Sequence, residues 1–122
     1  MGNITPTLDA AMRIDGAIAV ALVDYDSGML LGHAGSGNLD IELAAAGNTD
    51  VVRAKMRTLQ SLGLGDGIED FLMTLSTQLH LIRMLQSEQG KGLFLYLALH
   101  RAQANLAMAR RQLLNLEHDL VI

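Results

Sequence analysis

The sequence predicts an α+β domain, a three-layer α-β-α sandwich around a five-stranded, mainly antiparallel sheet. Three observations predict it. Leu93, Leu95, Leu97 and Leu99 share one face of a strand while Phe94, Tyr96 and Ala98 share the other, so this strand must be covered on both sides. Ile18, Val20 and Leu22, alternating with Ala17, Ala19, Ala21 and Val23, make the same demand of a strand near the start. Between and after these strands the apolar period changes from two to about 3.6 residues, which supplies the helical layers.

The elements follow in order. Thr7 to Arg13 can form two helical turns, with Thr7 as N-cap and Asp9 in the first turn. Gly16 to Val23 is the first strand, and its alanine face suggests close approach of a helix backbone. Asp24-Tyr25-Asp26-Ser27-Gly28 is turn chemistry, with Gly28 free to take positive φ. Met29 to Ala34 returns as the second strand, ended by Gly35-Ser36-Gly37. Asn38 or Asp40 can cap a long helix reaching about Ser61. Gly63-Leu64-Gly65-Asp66-Gly67 is a flexible link to a third strand, Ile68 to Leu75. Ser76-Thr77-Gln78 turns into a fourth strand, and a turn around Gly90 leads to the fifth, Leu93 to His100. From Ala102 a single stripe of Leu106, Ala109, Leu113, Leu116 and Leu120 marks a closing amphipathic helix. The predicted order is α-β-β-α-β-β-β-α.

The totals narrow the classes. At 122 residues, with no internal repeat or linker, the chain reads as one domain over 1–122, able to bury about 65% of its unfolded surface. Half the residues are apolar but 3% are aromatic, so the core is aliphatic. Zero cysteines exclude disulfide and thiolate chemistry and fit a reducing compartment. A net charge of −4 argues against a nucleic-acid partner, which needs a basic face. The longest apolar run, Leu93 to Leu99, is far short of the roughly 20 residues of a membrane helix. No basic-then-apolar leader is visible, and Pro6 occupies the position where a myristoylation signal wants Ser or Thr. The expectation is a soluble, cytoplasmic protein.

The long helix is more apolar than a single sheet requires. At 100° per residue, Leu43, Gly47, Val51, Ala54 and Leu62 form one stripe, and Ile41, Ala45, Val52, Met56 and Leu59 a second. Together they span roughly 220°, where a helix lying on one sheet needs little more than 100°. One stripe can cover the sheet; the other calls for a partner, and a second copy of the chain is the simplest one.

No catalytic constellation emerges. If the turn at Gly90 is symmetric, His80 and His100 sit opposite each other, but a third metal ligand is missing and the pair reads as structural or surface. Asp24, Asp26 and Gly28 echo a calcium loop, yet Gly35 stands where the bidentate Glu belongs. Gly63 to Gly67 precedes a strand rather than a helix, and Gly90-Lys91-Gly92 lacks the following Ser or Thr, so neither is a phosphate loop. No serine lies in a nucleophile elbow. Neither a metal nor a cofactor is expected.

Several segments carry a resemblance: Asp15-Gly16-Ala17-Ile18 through Val23-Asp24, then Gly28-Met29-Leu30; the Ala-rich long helix; Phe71 to Ser76 running into His80-Leu81-Ile82-Arg83; and, most specifically, Arg101 with Ala104-Asn105-Leu106-Ala107-Met108-Ala109-Arg110. With the element order, these resemble the roadblock / dynein light chain family, in particular bacterial members that accompany a small Ras-like GTPase. The resemblance covers nearly all of Asp15 to Leu120. It implies a profilin-like sheet and homo- or heterodimers in which long helices pack together and third strands pair. Carried onto this chain, the dimer interface would comprise Ile41, Ala45, Val52, Met56 and Leu59 with Phe71 and Met73. Arg53 and Arg57, on the exposed arc of the long helix, are the expected contacts to a GTPase. The reading is then a non-enzymatic, dimeric regulatory or scaffold module for a small Ras-like GTPase, with another roadblock chain as a possible mate. The competing class is a ligand-sensing domain of profilin, longin or PAS type, which would need a cavity.

Overall fold

The computed structural model describes residues 2–35, 38–65 and 67–122. Its elements are α1 (Ile4–Ala11), β1 (Ala17–Asp24), β2 (Met29–Gly35), α2 (Ile41–Ser61), β3 (Asp70–Thr74), β4 (Gln78–Met84), β5 (Leu93–His100) and α3 (Leu106–Asp119). The strands form one sheet in the order β2-β1-β5-β4-β3, and every neighbouring pair is antiparallel. The strands apolar on both faces, β1 and β5, each have a neighbour on both sides and a layer above and below. Val20, Leu22, Leu95 and Leu97 pack with Leu8 and Ala11 of α1 and Leu113 of α3. Ala21, Phe94, Tyr96 and Ala98 pack with Ile41, Ala45 and Val52 of α2. The small floor of Ala19, Ala21 and Ala98 lets α2 come close, as the alanine face of β1 predicts.

The two layers are unequal. One face of the sheet carries α1 and α3; the other carries α2, which leads from the edge strand β2 to the opposite edge, β3. Five strands place the outer two about 19 Å apart, and a helix with its side chains is about 10–12 Å wide. A single helix therefore covers about half of its face. It lies over β1 and β2, which leaves Phe71, Met73 and His80 of β3 and β4 half-buried on the other half.

Local chemistry sets the element ends. Asp40 caps α2 by accepting the amide of Leu43 at 3.1 Å, and Asn105 caps α3 by accepting that of Met108 at 3.1 Å. α2 ends where Gly63 takes φ +73° and the Leu64 amide returns to the Leu59 carbonyl at 2.8 Å. Glu117 of α3 is 4% exposed, and its carboxylate holds Arg83 at 3.0 Å together with the amides of Gln86 and Ser87. It fastens the β4–β5 connection to α3. Asn3 closes the layer: its side chain donates to the Asp119 carbonyl at 2.8 Å and accepts from the Val121 amide at 2.6 Å.

Several sequence expectations shift. The first helix starts at Ile4, with Thr7 buried inside it and Asn3 at its cap position, because Asn3 and the end of the chain hold each other. β3 is shorter than Ile68 to Leu75. α3 starts at Leu106 rather than Ala102, since residues 101–104 form turns before the Asn105 cap. Gln78, not His80, stands opposite His100, and His80 faces Ala98. The pairing is centred on residue 89 rather than on Gly90, which moves the partner of His100 by two, and the Leu85 amide bonded to the Leu93 carbonyl continues that register. Ser36, Gly37 and Asp66, named in the expected loops, lie outside the described residues.

Candidate functional site

α2 carries the most informative surface. Val52 is 0% exposed, and Ile41 and Ala45 are likewise buried against the chain's own sheet. This corrects the expectation that these three would meet a mate; they already have a partner inside the domain. The other stripe faces outward: Leu43 is 69%, Val51 43% and Leu62 64% exposed. Gly47 and Ala54 lie between them, and a Cβ built on Gly47 meets nothing within 4 Å. The result is a smooth, apolar ridge with small residues where a second helix backbone could approach closely. Met56 and Leu59 sit between the inward and polar sides, Met56 exposed and Leu59 half-buried.

At the other side of the sheet lies an open edge. Among the described residues β3 pairs with β4 on one side alone, from Asp70 opposite Arg83 to Thr74 opposite Leu79. Phe71 and Met73 turn toward the α2 side, partly buried against its core. Leu72 turns to the opposite face and is exposed. The edge is short, and Arg110 reaches from α3 to pair with Asp70 at 2.7 Å. Ridge and edge are two separate surfaces, neither of which has a partner among the described residues.

Arg53 and Arg57 are both exposed, one turn apart, on the polar side of α2 with Glu42 and Gln60. Their position fits a charged surface that a partner could read, away from the apolar ridge.

A polar cluster that the sequence reading missed lies within the α2 layer. The Gln78 side-chain oxygen lies 2.8 Å from Nε2 of His80, and the Tyr96 hydroxyl 3.1 Å from Nδ1. Because that oxygen can only accept, Nε2 carries the proton and Nδ1 accepts from Tyr96. The two rings meet edge-on, with centroids 5.4 Å apart. Burial lowers the pKa of His80 and raises that of Tyr96, whose hydroxyl also meets the Asn48 side chain of α2. The signal was available: a tyrosine in the middle of an otherwise apolar strand needs a hydroxyl partner. Among the described residues no group of three or more His, Cys, Asp or Glu is placed to hold a metal. No helix among the described residues is long and apolar enough to cross a membrane.

A single long helix on one face, two shorter ones on the other and the order β2-β1-β5-β4-β3 define the fold of roadblock/LC7 domains. Among solved structures the chain is similar to MglB of Myxococcus xanthus, with TM-score 0.82 and 18% identity over 94% of this chain and 82% of that one. It is similar to a roadblock/LC7 domain from Streptomyces avermitilis, with TM-score 0.76 and 15% identity over 90% and 87% of the two chains. It is also similar to an MglB in a tetrameric arrangement, with TM-score 0.77 and 16% identity over 92% and 80%. At these identities the likeness is one of fold. No family model and no curated protein matches the sequence.

Proposed function

We propose that the chain is a non-enzymatic regulatory or scaffold module that works as a homodimer and binds a small Ras-like GTPase. The observation that carries the dimer is the outward ridge of Leu43, Gly47, Val51, Ala54 and Leu62, with the open β3 edge as a second unpaired surface. Apolar surface of this extent in a soluble domain marks an interaction site, and an unpaired edge is a template for another strand. A twofold pairing would set ridge against ridge, while the β3 edge, with Phe71 and Met73 on its α2 side, offers a second contact of its own. Ile41, Ala45 and Val52 would support the helix from beneath. The tetrameric MglB supports association as a property of the fold.

The GTPase reading rests on the sequence resemblance and on the shared fold. Arg53 and Arg57 are its expected contacts, through charge presented on one side of the dimer. A related roadblock chain could replace the second copy through the same ridge. Light scattering after size exclusion tests the dimer. A mass near twice 13.1 kDa that persists on dilution supports it, and a 13.1 kDa species at all concentrations refutes it. Co-purification with a GTPase encoded beside the gene tests the partner.

A further inference from the structure

A cleft of about 500 Å³ opens where the last turns of α2 pass the ends of β1 and β4. Its walls are apolar, with Met56, Leu59, Ile68 and Met84, and its polar groups come from Tyr25, Arg57, Gln60 and Gln86. We propose that this cleft binds a small amphipathic anion, an unbranched apolar body ending in a carboxylate, with Arg57 at the head group. The outward ridge of α2 contributes none of these walls, but Arg57 is also an expected GTPase contact, so the binding test is made on the chain without a GTPase and reads the cleft alone.

The volume falls within the range of small-molecule sites, about 300–1,000 Å³. Two of the walls are methionines, whose unbranched side chains adapt to the shape of an apolar ligand. The polar inventory then selects the head group. Arg57 is the charged side chain on the lining and makes no ion pair among the described residues. The amide nitrogen of Gln86 is already committed to the carbonyls of Ile68 and Met84, at 3.1 and 3.0 Å, so it helps hold the floor. A helix C-terminus ordinarily repels an anion. Here the carbonyls of Thr58, Leu59 and Gln60 are taken by the amides of Leu62, Leu64 and Gly63, which blunts that field. What remains is an apolar trough with a guanidinium at its lip, complementary in charge and polarity to a fatty carboxylate.

The test uses the purified full chain in its natural oligomeric state and three probes of equal chain length below their micelle concentrations: decanoate, decanol and decyltrimethylammonium. Thermal melts and calorimetric titration are expected to show saturable binding, with decanoate tightest and the ammonium weakest. Arg57→Gln should weaken decanoate by about 10-fold or more, the scale of a hydrogen bond to a charged group, and leave decanol unchanged. Leu59→Trp fills the trough and should abolish both. If that variant misfolds, Gln60→Trp blocks the same space from an exposed position. Equal response to all three probes, full decanoate affinity in Arg57→Gln, or no binding by the wild-type chain would each overturn the proposal.

Discussion

Leu43→Glu separates the proposed interface from the fold. Leu43 is 69% exposed in the isolated chain, at the third position of α2, where its amide is held by Asp40. Burying a whole leucine contributes about 2.5 kcal/mol, so the exposed fraction is worth about 1.7 kcal/mol per copy. A twofold interface loses it twice, about 3.5 kcal/mol, which weakens dimerisation by about 300-fold before any charge repulsion. Within the monomer the change is neutral or favourable. A glutamate in the first turn meets the positive end of the helix, and at this position it can reach back to the cap amide. Sedimentation velocity over a dilution series should therefore show monomer where the wild type is dimeric, with undiminished helical circular dichroism. An unchanged association constant would refute the outward ridge as the interface. Val52→Glu is the contrasting control: a carboxylate at a 0% exposed site removes core packing and buries an unpaired charge, so insoluble or unfolded protein is expected.

Acidification should act through His80. Its folded pKa is lowered by burial, so the unfolded chain takes up the proton first and stability falls as pH drops through about 6.5 toward the folded value. Urea midpoints should be level above that window and decline within it, and His80→Gln should flatten the decline; an equal decline in the variant would remove His80 from the explanation. Glu117→Gln leaves Arg83 in a buried site with its charge uncompensated and should cost about 3 kcal/mol in urea unfolding. A loss below about 1 kcal/mol would mean that the pair is replaceable by neutral hydrogen bonds. Replacing Arg53 and Arg57 together by Ala should weaken a GTPase complex in a pull-down titration while the dimer mass stays constant; full retention would place the contact elsewhere.

The fold was legible because β1 and β5 are apolar on both faces, and a two-faced strand leaves few architectures open. Which stripe of α2 faces the sheet was not legible, and Thr49 shows why. It counts as polar in the sequence but is buried, its hydroxyl satisfied by the Ala45 carbonyl at 2.8 Å. With that residue assigned outward, the helix turns to the wrong side, and Ile41, Ala45 and Val52 look available to a mate. The start of α3 was hidden by a similar ambiguity: Ala102 keeps the apolar spacing, yet the Asn105 cap sets the boundary. The β4–β5 register depended on turn geometry rather than on residue pattern, and the link between His80 and Tyr96 depended on that register.

The clasp at Asn3 has a practical consequence. It brings residue 3 within hydrogen-bonding distance of residues 119 and 121, on the α1–α3 layer and on the far side of the sheet from the ridge of α2. A tether attached at either end therefore leaves from one spot and points away from the binding ridge. The same proximity suits circular permutation: a short linker between residues 122 and 2 would close the backbone, and new ends could be opened at the β1–β2 turn. A chain rewired in this way would keep the ridge and the β3 edge intact, so that association could be measured with a surface or a dye attached to either side of the sandwich.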